Sequence, residues 1–276
     1  MSTTTHRPVW AEIDLGAVRA NVGIFAEVVA PAQVCAVVKA DGYGHGAVAV
    51  GRAALDGGAR ALAVALVEEG AQLREAGVDA PILVLSEPVP EAADAVIALG
   101  LTPVVYTTAG IDALAKAVAT RHAEPLDVHV KVDTGMHRVG CAPAQAADFA
   151  AHVVERPELS LAGVCTHFAV ADEPGNDYTD RQRRSFEDVL DVLRSRALPT
   201  GLVHACNTAA TLTMPAARYD LVRIGIGAYG IAPAPALAGR VALEPAMSVK
   251  AQVSHVQQLP AGARISYGLR YETPRA

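Results

Sequence analysis

The chain has 276 residues, 51% of them hydrophobic and only 4% aromatic, with 23 Lys and Arg against 29 Asp and Glu. A net charge of −6 leaves no basic excess for a phosphate backbone, and so few aromatics offer no base-stacking platform. Nucleic acid is therefore excluded as a partner. Intrinsic disorder is excluded by the high hydrophobicity, and a membrane helix by the lack of any run near ~20 apolar residues.

Met1 to Trp10 carry no apolar leader core. The cysteines Cys35, Cys141, Cys165 and Cys206 are scattered without a CxxC pair. Neither a metal site nor a disulfide framework is expected, and buried thiols in a cytoplasmic protein are. Val9–Asp14 and Leu15–Val29 read as a strand and a helix. Strand-like runs follow at Val34–Lys39, Ala61–Leu66, Pro81–Ser86, Leu101–Tyr106, Leu126–Thr134, Leu161–Phe168, Leu202–Asn207 and Leu221–Ile226. Helical spacing lies between them, as in Glu68–Ala76, Ala109–Thr120, Pro143–Val154 and Asp180–Leu193.

This alternation implies parallel strands joined by crossover helices. About eight such units point to an α/β fold, a (β/α)8 TIM barrel, with an open doubly wound sheet as the alternative. Leu15–Val29 is expected to complete the helix ring, because no long helix follows the last strand. Ile231–Gly239 is a Pro/Ala linker, and Met247–Leu259 alternates like an exposed antiparallel strand. Residues 1–235 thus read as the barrel and 236–276 as the beginning of a β-rich C-terminal domain, which looks incomplete.

Side chains alternate along a strand. Leu126, Val128, Val130 and Val132 share one face, which must meet the helices. Asp127, His129, Lys131 and Asp133 share the other, which points into the barrel. The same parity turns Lys39, His167 and Arg223 inward near the carboxyl ends of their strands, and places His204 with Cys206. Barrel enzymes gather their chemistry at those ends. A lysine desolvated by apolar walls and nearby cations has a lowered pKa and can form a Schiff base, which makes Lys39 a candidate. Gly225-Ile226-Gly227-Ala228-Tyr229-Gly230 matches GxGxxG. It follows the last barrel strand and runs into a Pro-rich linker, so it suits a phosphate cradle better than a dinucleotide turn. Asn207 and Thr208 add an amide and a hydroxyl to that cradle.

A Schiff-base lysine and a phosphate site at one barrel mouth suggest pyridoxal 5'-phosphate. The motifs AVVKADGYGHG (36–46), KVDTGMHRVG (131–140), CTHFAVADE (165–173), HACNTAAT (204–211), YDLVRIGIGAYG (219–230) and ISYGLRY (265–271) resemble the alanine racemase family in order along the chain. The resemblance implies interconversion of L- and D-alanine, a peptidoglycan precursor. By it, Lys39 holds the cofactor as an internal aldimine and serves as one base. Tyr267 is the other base, reaching the site of a partner subunit in a homodimer. Arg223 faces the pyridine nitrogen, and Tyr43, Thr208, Gly225 and Ile226 line the phosphate. Arg138 meets the substrate carboxylate, Lys131 is a lysine open to carbamylation, and His167 links Arg223 to the tyrosine. Family members continue further into the C-terminal domain, so a chain of this length is expected to be weakly active or inactive. A barrel-type decarboxylase, a broader racemase and a catalytically impaired cofactor-binding barrel are the alternatives.

Overall fold

The computed structural model describes residues 8–276. Met1–Arg7, part of the stretch read as lacking a leader core, lie outside the described residues. The chain begins with β1 (Val9–Ile13) and α1 (Leu15–Val29), the latter capped by Asp14, whose carboxylate accepts from Ala17 N–H at 3.0 Å. The barrel strands follow: β2 (Gln33–Val37), β3 (Ala61–Val64), β4 (Ile82–Val84), β5 (Thr102–Val105), β6 (Leu126–Lys131), β7 (Leu159–Cys165), β8 (Leu202–His204) and β9 (Leu221–Ile224). Each ends a few residues before the apolar run in the sequence does, because the last residues turn out into the barrel mouth.

These strands form one 8-stranded parallel sheet in the order β8-β7-β6-β5-β4-β3-β2-β9. Its two ends meet through Asp220 N–H to Val203 O (3.1 Å) and Arg223 N–H to Cys206 O (2.9 Å), which closes the ring. The connecting helices are α2 (Ala47–Asp56), α3 (Val67–Glu75), α4 (Ala93–Ala98), α5 (Thr108–Arg121), α6 (Ala146–Val154), α7 (Tyr178–Ser195) and α8 (Thr208–Thr213). Helix α1 packs on β2, β9 and the short turn Ile226–Tyr229, filling the place of a helix after β9.

Alternation along the strands divides the core in two. Outward residues such as Val34, Leu62, Ile82, Val130 and Val222 pack against the helices. Cys35, Val37, Ala61, Ala63, Leu83 and Leu221 form a separate cluster inside the barrel. All four cysteines are free and buried. Cys206 does not share the inward face of His204. Strand β8 ends at His204, the alternation lapses, and the thiol turns outward to donate to Ala217 O at 3.0 Å. No helix among the described residues is long and apolar enough to cross a membrane.

Asp14–Ala246 is one compact unit; the chain up to Ile13 with Met247–Ala276 is another. The division lies later than residue 235. Residues after the linker stay with the barrel because Asn21 binds both backbone groups of Glu244 at 2.8 Å, and Ala246 N–H donates to Tyr229 O at 3.0 Å. β1 leaves the barrel because its ladder partner is β10 (Met247–Ala251), antiparallel, with Val9 opposite Ala251. The ladder stops there, so the strand expected through Leu259 is shorter. β11 (Arg264–Ile265) and β12 (Tyr271–Glu272) pair as a small antiparallel hairpin in the same unit.

Candidate active site

The carboxyl ends of the barrel strands open onto a cavity of about 470 Å³. Every expected site residue of the barrel unit lines it: Lys39, Tyr43, Lys131, Arg138, His167, Asn207, Thr208, Arg223, Gly225 and Ile226. Tyr267 belongs to the other unit, on a short turn between β11 and β12, and its side chain is fully exposed.

Lys39 leaves β2 half-buried. The next residues, Ala40–Tyr43, all adopt left-handed backbone angles. This turn brings Tyr43 back over the cavity, with its ring 4.9 Å from that of Tyr229. Burial raises the Tyr43 pKa, so its hydroxyl stays a proton donor.

Across the mouth, Thr208 Oγ1 accepts from Gly225 N–H (3.1 Å) and Gly227 N–H (3.3 Å). With both lone pairs engaged, its own proton is left to donate. Gly225 leaves room for this approach, since a Cβ on it would meet Tyr43 Oη at 2.7 Å. Asn207 differs from expectation. Its Oδ1 caps α8 by accepting from Ala210 N–H at 3.0 Å, and its Nδ2 donates to Phe168 O at 3.4 Å.

The deepest part is a chain of polar side chains. Arg223, buried, donates to His204 Nδ1 (2.7 Å), His167 Nδ1 (3.0 Å), Thr166 O (2.8 Å) and Ala205 O (2.9 Å). A guanidinium has no acceptor, so His204 carries its proton on Nε2 and gives it to His129 Nδ1 at 2.8 Å. Burial, reinforced by Arg223, pushes the pKa of His167 and His204 well below the usual histidine range. Burial likewise lowers that of His129 to about 4. These rings are neutral acceptors, and the cation of Arg223 has no carboxylate among these partners. Lys131 is also buried. Desolvation lowers its pKa, and the cations of Arg223 and Arg138 act in the same direction.

Helix α7 clamps two of the loops. Buried Gln182 accepts from Ala169 N–H (2.9 Å) and donates to His167 O (3.1 Å), while Tyr178 Oη donates to Gly135 O (2.9 Å). The sequence reading missed Gln182, and it gave His129 and His204 no task. Strand parity turned His129 inward and only grouped His204 with Cys206, and parity alone does not link rings on different strands. The space for His129 comes from Gly163 on β7, where a Cβ would lie 2.5 Å from His129 Nδ1.

A model of the family "Alanine racemase, N-terminal domain" matches residues 13–233. The chain belongs to the alanine racemase family. An alanine racemase of Symbiobacterium thermophilum is 44% identical over 98% of this chain and 71% of its own length. One of Thermobifida fusca is 44% identical over 96% and 71%. Among solved structures, the alanine racemase from E. faecalis superposes with a TM-score of 0.92 at 37% identity, covering 100% of this chain and 74% of that one. The enzyme from D-cycloserine-producing Streptomyces lavendulae gives 0.90 at 36%, covering 98% and 72%. The family match spans the whole cavity lining, from Val37 to Pro233.

Proposed function

We propose that this chain interconverts L- and D-alanine with pyridoxal 5'-phosphate bound in the barrel mouth. The observation that carries this reading is a buried cation, Arg223, with no carboxylate partner among the described residues, in the same cavity as Lys39. Buried charge without a partner is costly, so the site suits a ligand that offers Arg223 an acceptor. The free Thr208 proton beside the Gly225 cradle suits a phosphate. These residues fit the cofactor at both of its polar ends.

Bound pyridoxal phosphate supplies an electron sink that acidifies the Cα–H of an attached amino acid. Lys39 would hold the cofactor through its amine and would take or return the Cα proton on its own face. Tyr267 returns or takes the proton on the opposite face, from the partner subunit of a cytoplasmic homodimer; its full exposure supports such a reach. Arg223 would donate to the ring nitrogen and keep its own proton, since guanidinium stays charged. The neutral His167 and His204 accept from Arg223 and hold its direction. Arg138 binds the substrate carboxylate. Lys131, its amine made easier to deprotonate by burial, is open to carbamylation, which would supply an anion to orient Arg138.

The direct test is incubation of L-alanine and, separately, D-alanine with the chain and added pyridoxal phosphate, followed by chiral chromatography. Each enantiomer is expected to yield the other, slowly. Conversion to a decarboxylated amine, or no conversion by a chain that binds the cofactor, would overturn the reading.

A further inference from the structure

The residues after Lys39 carry backbone strain. Ala40, Asp41, Gly42 and Tyr43 have φ of 51°, 50°, 61° and 53°. Only one is glycine, and a left-handed conformation is unfavourable for other L-residues. Most of the turn holds itself. Gly42 N–H donates to Val38 O at 2.8 Å, and the Asp41 carboxylate accepts from Ala47 N–H at 2.8 Å. Ala40 has no polar side chain and no glycine freedom. Its N–H donates instead to Glu69 Oε1 on α3, at 2.6 Å. The other oxygen of Glu69 accepts from Ala65 N–H (2.7 Å) and Leu66 N–H (3.1 Å) at the end of β3.

We propose that Glu69 is a positioning residue for Lys39, its carboxylate locking the peptide group that follows the lysine and so the direction in which the lysine side chain leaves β2. That peptide joins Lys39 C=O to Ala40 N–H and is planar. Fixing the N–H therefore fixes ψ of Lys39, while the preceding peptide, whose Val38 O accepts from Gly42 N–H, sets φ; held on both sides, the lysine Cα–Cβ bond keeps one direction. One carboxylate thus ties the loop after β2 to the loop after β3. Glu87 makes the same kind of tie one unit on, accepting from Tyr106 N–H (2.5 Å), Thr107 N–H (2.9 Å) and Thr107 Oγ1 (2.5 Å). Neither Tyr106 nor Thr107 lines the cavity, so Glu87 provides an internal control. The inference rests on the reading that Lys39 carries the cofactor.

The discriminating variant is Glu69→Gln. Glutamine has one acceptor oxygen, so keeping the bonds to Ala65 and Leu66 turns its NH2 toward Ala40 N–H, donor against donor. Two quantities are read on the full chain: hydrogen exchange of the Ala40 amide by NMR, and the rate at which cofactor-free protein captures pyridoxal phosphate. In Glu69→Gln, Ala40 exchange is expected to rise and capture to slow, each by about 10-fold, the equivalent of one lost net hydrogen bond. Adding Ala40→Gly removes the left-handed penalty. It is expected to restore most of the capture rate, and it also lowers the risk that the single variant does not fold. Glu87→Gln is expected to capture at the wild-type rate. Unchanged Ala40 exchange, unchanged capture, or equal slowing by Glu87→Gln would overturn the proposal. Failure of the wild-type chain to capture the cofactor would overturn the reading beneath it, while Ala40 exchange still decides whether Glu69 holds the turn.

Discussion

The two halves of the barrel interior are built from opposite materials. On β2, β3, β4 and the start of β9 the inward side chains are Cys35, Val37, Ala61, Ala63, Leu83 and Leu221, small and apolar. On β6, β7, β8 and further along β9 they include His129, Lys131, Cys165, His204 and Arg223. The apolar half stabilises in proportion to the surface it removes from water. The polar half is costly unless every proton finds an acceptor. Holding three histidines neutral supplies acceptors to Nη1 and Nη2 of Arg223, while its Nε–H, unpaired among the described residues, and its uncompensated charge are left for a ligand. The first half is packing for stability; the second is a device for presenting charge to a ligand.

Lys39→Ala breaks the comparison at its most sensitive point. Racemisation is expected to fall by about 10³-fold or more, the scale of a lost acid–base group. The melting temperature should barely move, because Lys39 is only half-buried at the cavity edge. Leu83→Ala does the reverse. It is expected to cost about 2–5 kcal/mol in urea unfolding, with kcat/KM of the folded fraction unchanged. A large change in kcat/KM would show that the apolar half shares in the chemistry.

The pH dependence of stability separates the halves without touching the cavity. Burial holds the His129 pKa at about 4, whereas an unfolded histidine titrates near ~6.5. Below that upper value the unfolded chain binds a proton that the folded chain refuses. Stability is therefore complete above about pH 6.5 and lost progressively down to about pH 4, by roughly 3 kcal/mol for His129 alone. His204 and His167 add in the same direction. Urea titrations across this range should show the loss, and His129→Leu should remove its own share while Leu83→Ala leaves the whole of it intact. Gly163→Ala is the mildest change. It crowds the His129 ring and Leu202 O and is expected to cost about 1–3 kcal/mol, with a lowered kcat.

The barrel was legible because each strand is a short β-branched run and each helix a longer Ala-rich one, signals that are local in sequence. The cavity residues were legible through the motifs around Lys39, Lys131, His167 and Arg223. What stayed hidden depends on distance in the chain. β1 pairs with β10 from the far end of the sequence, and no composition rule reports that. Glu69 reads as an ordinary first-turn acid of α3, and only the fold shows its second oxygen reaching Ala40. Gln182 and the His129–His204 contact are likewise meetings between separate elements. Strand parity gives a direction but no partner.

Exchange of the Cα hydrogen in deuterated water tests the central claim most directly. With pyridoxal phosphate present, both L- and D-alanine are expected to take up deuterium at Cα and drift toward the racemate, while Lys39→Ala leaves both untouched. Exchange that persists in Lys39→Ala, or exchange of one enantiomer with no racemisation, would contradict the account.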